Sequence, residues 1–207
     1  MRIFVKVIYK TTIKMTHLKS IATFLGIISF ALIVSSCNQE KSKDSKEVAE
    51  EHNDAKFEDN QAERDAQFLV NAAEISLQEV SLGILAQQKG STSIVKDLGK
   101  MMENDHTTAL AKLNDLAQTK SITLPSSQTK NSQDNYQKLM SISGKEFDKE
   151  YADMMVKGHK EAIEKFEKAS KETTYPSIAA WATETLPILR THLDHSMTCK
   201  SSVDEMK

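Results

Sequence analysis

From residue 62 onward, apolar side chains recur three and four positions apart over long stretches, and none of these stretches alternates with a period of two. Such spacing lays the apolar groups along one stripe of an α-helix and cannot line one face of a strand. With 6 Gly and 3 Pro in 207 residues to interrupt it, the chain is expected to be all-α. Long helices are predicted over residues 62–89, ended by Gly90; 93–119, after the cap-forming Ser91-Thr92-Ser93; 145–171; and 177–199, started by Pro176. A connector over 120–144 is broken at Leu124-Pro125, since the residue before a proline leaves the α region. Within it a short helix is expected over 132–141, with Tyr136, Leu139 and Met140 as its apolar side. A connector this long can return along a bundle, so the second and third long helices should run parallel. That is a ferritin-like four-helix bundle over 62–200, followed by a tail over 201–207. An up-down-up-down order is the alternative.

The beginning of the chain reads as an address. Lys14, His17 and Lys19 precede an uncharged apolar run over residues 21–34, as in a secretory signal peptide. About 20 residues are needed to span a bilayer, and this run is shorter. It ends at Val34-Ser35-Ser36-Cys37, which resembles the bacterial lipobox, so residues 1–36 are expected to be removed and Cys37 lipidated. Met15 offers a second plausible start besides Met1. Residues 37–61 are rich in Lys, Glu, Asp and Ser, and this stretch is predicted to be a disordered tether. The expected location is the bacterial cell envelope, lipid-anchored, at the outer membrane facing the periplasm or the surface.

The first 36 residues hold five of the chain's 27 basic side chains and none of its 29 acidic ones, leaving the remainder acidic by about seven charges. A surface of that sign argues against nucleic acid as partner. The membrane is the expected partner, through the lipid on Cys37; no protein partner can be named. Cys199 is the second of two cysteines and has no partner within the chain once Cys37 is lipidated.

Each long helix carries one polar interruption near the middle of its inward seam. Glu79 interrupts Phe68, Ala72, Ile75, Leu82 and Ala86; His106 follows Gly99 and Met102; His159 follows Ala152 and Met155. On the fourth helix the stripe is Ile178, Trp181, Thr185, Ile188, His192, His195 and Cys199. Mid-helix positions meet in one layer of a bundle, so Glu79, His106, His159 and His192 are expected to converge. Groups like these must bond to one another, hold water or bind a metal. Three imidazoles and one carboxylate suit a single transition-metal ion, Zn, Cu or Fe, for storage, buffering or protection from stress. The alternative is a metal-free polar layer in a structural or partner-binding protein.

Residues 98–117 align without gaps on 151–170, matching Met102 with Met155 and His106 with His159. Those methionines, each one turn before a histidine, are extra candidate ligands suited to copper(I), or else core filler. Glu103 and His195 are further candidates, and Asp105 can orient an imidazole from behind. Glu103-x-x-His106 has the spacing used in di-iron bundles, but Val156 stands where the second such glutamate would be. No nucleophile elbow or phosphate loop is present, and no catalytic residue is assigned.

Four segments together carry a family resemblance: Glu79-Val80-Ser81-Leu82-Gly83; Met102-x-x-Asp105-His106; Phe147-Asp148-x-x-Tyr151 leading to His159; and Thr185-Leu186-Pro187 leading to His192-Leu193. Over residues 67–197 the chain resembles the domain of unknown function 4142 family, bacterial envelope proteins regarded as ferritin-like. The resemblance implies a helical bundle in the envelope and brings no reaction with it.

Overall fold

The computed structural model describes residues 43–206, so the signal segment over 1–36 and Cys37 lie outside it. Among the described residues there are six helices and no strand: α1 (Ser45–Asp54), α2 (Asn60–Lys89), α3 (Ser93–Lys120), α4 (Lys130–Met140), α5 (Gly144–Glu172) and α6 (Pro176–Asp204). The all-α expectation holds, and the four long helices fall within a few residues of their predicted positions except at the end of α6.

Two apolar clusters fill the interior. One gathers Leu69 of α2, Leu113 and Ala117 of α3, Phe166 of α5, and Ile178 and Trp181 of α6. The other gathers Leu85, Val95, Leu98, Phe147, Tyr151, Cys199 and Val203. The first joins the beginnings of α2 and α6 to the ends of α3 and α5, so α3 and α5 run in the same direction, as a long crossover requires. α2 packs chiefly on α3 and α5 chiefly on α6, with α2 also touching α5 and α3 touching α6.

The α2–α3 contact is made at backbone distance. A Cβ on Gly83 would stand 2.5 Å from the Gly99 carbonyl oxygen and 2.9 Å from the Glu103 nitrogen. On Gly99 it would stand 2.7 Å from the Gly83 oxygen. These neighbours are main chain and cannot turn aside. Gly83→Val is therefore expected to lower stability by about 1–3 kcal/mol through overpacking, read as a lower urea midpoint with unchanged slope. An unchanged midpoint would show that the two helices separate freely. Gly90 likewise serves close packing: its φ is −53°, not left-handed, and a Cβ there would stand 2.8 Å from Val95 Cγ1.

Three expectations need correction. Residues 45–54 of the supposed tether form α1, which docks on the rest through polar bonds where apolar burial is scant. Asp44 and Glu47 close a capping box at its start. The Asn53 amide donates to the Thr123 carbonyl at 2.9 Å and accepts from the Thr123 N–H at 2.8 Å, while Lys46 pairs with Glu74 at 2.7 Å. Asn53→Ala leaves both Thr123 groups without that partner, and a loss of about 1–3 kcal/mol is expected, with faster hydrogen exchange at the Thr123 amide. At the other end, α6 continues to Asp204, because Val203 is buried and Asp204 pairs with Lys149 and Lys200. No tail begins at 201. On α4, Leu139 is fully buried but Met140 faces outward.

Candidate metal centre

Between the two apolar clusters lies a polar layer. It comprises Ser76 and Glu79 from α2, His106 from α3, His159 from α5 and His192 from α6, all buried. Each histidine stands between residues of the two clusters: His106 between Met102 and Leu113, His159 between Met155 and Ala162, His192 between Leu189 and Cys199. The seam reading thus placed all three in one layer correctly. They are the group of His, Cys, Asp and Glu side chains that can hold a metal among the described residues, with one donor atom from each within 4.8 Å of the others.

The hydrogen-bond partners decide which nitrogens are free. His159 Nδ1 lies 2.9 Å from the Met155 carbonyl, which only accepts, so Nδ1 carries the proton. His192 Nε2 lies 2.8 Å from Asp105 Oδ2 and donates to it. In neutral rings this leaves lone pairs on His159 Nε2 and His192 Nδ1, and those two atoms face each other at 3.3 Å. No hydrogen bond joins two acceptors. His106 offers a further unpartnered nitrogen: its Nε2 is buried without a hydrogen bond, and its Nδ1 has only Ser76 Oγ at 3.4 Å.

A proton does not relieve this repulsion at neutral pH. Burial pushes His159 down to about 4, helped by His192, and lowers His106 and His192 as well. A metal ion relieves it directly. At about 2.0–2.1 Å from each nitrogen, a tetrahedral ion separates its donors by roughly 3.3 Å, the spacing His159 and His192 already have. Asp105 behind His192 and the Met155 carbonyl behind His159 supply the outer partners that ligating imidazoles need.

The other candidates lie apart from this set. Glu79 is one helical turn beyond Ser76, the α2 residue that faces His106, and its oxygens do not join the converging donors. Its Oε2 is buried without a partner, and burial raises the carboxyl to about 8. Met102 and Met155 are buried in the apolar cluster with Phe147 and Tyr151 and act as core. Glu103 accepts from Gln87 Nε2 at 2.6 Å. His195 is exposed: after His192 the inward stripe continues at Ser196, four residues on, and Ile188 also points outward while Leu189 is buried. Ser76 went unnoticed in the sequence because Ile75 beside it fits the apolar seam equally well.

No curated protein and no solved structure matches the chain. A family model described as Domain of unknown function (DUF4142) matches residues 48–198, a span that holds Asp105 and all three histidines, and the chain belongs to that family.

Proposed function

We propose that this protein is an envelope lipoprotein, anchored by lipid on Cys37, whose ferritin-like four-helix bundle binds one transition-metal ion for storage, buffering or protection from stress. The ion is held by His106, His159 and His192, with Zn, Cu and Fe all suited to imidazole. The observation that carries this reading is the pair of facing lone pairs on His159 and His192, whose outer nitrogens are both committed as donors. A metal-free polar layer leaves that repulsion standing. The bundle assignment draws support from the parallel course of α3 and α5 and from the ring of contacts α2–α3–α6–α5.

Elemental analysis of protein purified without an affinity tag should find one ion per chain, lost in His106→Ala. Absence of bound metal, together with no thermal response to Zn, Cu or Fe salts, would sink the metal reading. A Cys37→Ser chain should leave the membrane fraction, and unchanged partition would sink the anchor.

A further inference from the structure

A cavity of 290 Å³ lies beside the histidine layer, bounded by α2, α3, α5 and α6. His106, His192, Asp105 and Ser76 contribute to its lining and His159 does not, so it reaches the layer from the side of His106 and His192. Its apolar wall is made by Phe166, Trp181 and Leu189 among others. A cavity of about 150 Å³ in a protein core suffices for benzene, so this one has room for a small molecule but not for a folded segment of a partner.

The electrostatics select what kind of molecule. Three neutral imidazoles bring no negative charge to a divalent ion. Among the described residues, the one carboxylate hydrogen-bonded to these rings is Asp105, and it acts through His192 from the far side of the ring. Glu79 stays outside the donor set. An ion held by three protein ligands keeps an open position, as metal centres that act on outside molecules do. The lining itself does not add to the pull on an anion, because its cation, Lys112, is balanced by Glu184 and outnumbered once Asp105 is counted, so the attraction comes from the ion.

We infer that the cavity binds a small monocarboxylate with an apolar body, its carboxylate completing the coordination of the ion held by His106, His159 and His192 and its body lying against Trp181, Phe166 and Leu189. This inference rests on the metal reading above. It turns a closed storage site into one that senses, carries or acts upon an organic acid.

Trp181 is the chain's single tryptophan and lines the cavity, so it reports on the body of the ligand, while cobalt(II) in place of the native ion reports on its head. The full chain loaded with cobalt is titrated with hexanoate, acetate and 1-hexanol. Hexanoate should change the cobalt absorption and the Trp181 emission over one concentration range. Acetate, which lacks the apolar body, should be at least tenfold weaker, and 1-hexanol should leave the cobalt spectrum unmoved. Ala109→Leu, which adds methylenes to the cavity wall without touching a donor atom, should keep cobalt binding and weaken hexanoate at least tenfold. Cobalt bound but indifferent to hexanoate, acetate as effective as hexanoate, or hexanoate binding unaltered in Ala109→Leu would each overturn the inference and leave the metal reading intact. The comparison of the three ligands on the unaltered chain decides the matter should Ala109→Leu fail to fold. Failure to take up cobalt would overturn both readings.

Discussion

Saturating zinc should raise the melting temperature of the unaltered chain by about 5–10 °C, and His159→Ala should abolish the rise. The size follows from linkage: a ligand at a hundred times its dissociation constant stabilises the folded state by about 2.7 kcal/mol, and a domain of this length gains roughly 2–4 °C per kcal/mol. His159 is the choice because its geometry admits one role. Its Nδ1 is committed to the Met155 carbonyl, so all that its Nε2 can offer is a lone pair pointed at another lone pair. Without metal, alanine at 159 removes a repulsion as well as a packed ring, so the metal-free variant should lose less than a buried truncation of that size ordinarily costs. Asp105→Asn gives a graded comparison, since it leaves three nitrogens in place and weakens only the support behind His192; a loss of about 10–100-fold in zinc affinity is expected. Thermal denaturation with zinc and with a chelator, for all three chains, measures this. Equal shifts in the unaltered chain and His159→Ala would place the metal elsewhere or nowhere.

The histidine layer was legible because each of α3, α5 and α6 interrupts an otherwise apolar stripe with a histidine, and a stripe in a shared core has to bring such residues together. What the stripe does not determine is the choice between a step of three and a step of four. After His192, three leads to His195 and four to Ser196; both continue to Cys199, and the structure takes Ser196, whose hydroxyl donates to the His192 carbonyl at 2.7 Å. On α2 the same ambiguity separates Ile75 from Ser76, which faces His106, and Glu79, expected among the converging donors, does not join them. The start of α1 was hidden for a different reason. Its docking relies on Asn53, Ser45 and Lys46, so a reading built on apolar content finds little beyond Ala49 to bury. The signal that can reveal it is local: Asp44 followed three residues later by Glu47, the two ends of a capping box. The tautomers and the cavity were beyond any sequence reading, because both depend on which carbonyl and which carboxylate meet each ring.

Metal-free protein should be most stable near pH 6.5, and Glu79→Gln should abolish the decline on the alkaline side of that maximum. Burial without a partner for Oε2 raises Glu79 from 4.5 to about 8, so between those values the folded chain holds a proton that the unfolded chain has released. The carboxyl's contribution is fully present below pH 4.5 and is lost as pH rises through 8, amounting to at most about 5 kcal/mol. The histidines act in the opposite sense. Their folded values lie below 6.5, so the stability they contribute is present above 6.5 and is lost as pH falls below it, through about 4 in the case of His159. Three histidines outweigh one carboxyl on the acid side; between 6.5 and 8 the carboxyl acts alone. Tyr151 and Cys199, the titratable neighbours in the adjoining apolar cluster, are also raised by burial, Cys199 from 9.0 to about 11, so their own losses begin only as pH approaches 9 and leave the range from 6.5 to 8 to the carboxyl. Glutamine keeps the shape of the protonated acid and has no proton to lose, so stability in Glu79→Gln should level off above pH 6.5 where the unaltered chain declines. Urea midpoints between pH 5 and pH 8 in the presence of a chelator measure both limbs. An alkaline decline that persists in Glu79→Gln would mean that the carboxyl finds water or a partner on ionising, and that this side of the polar layer opens to solvent.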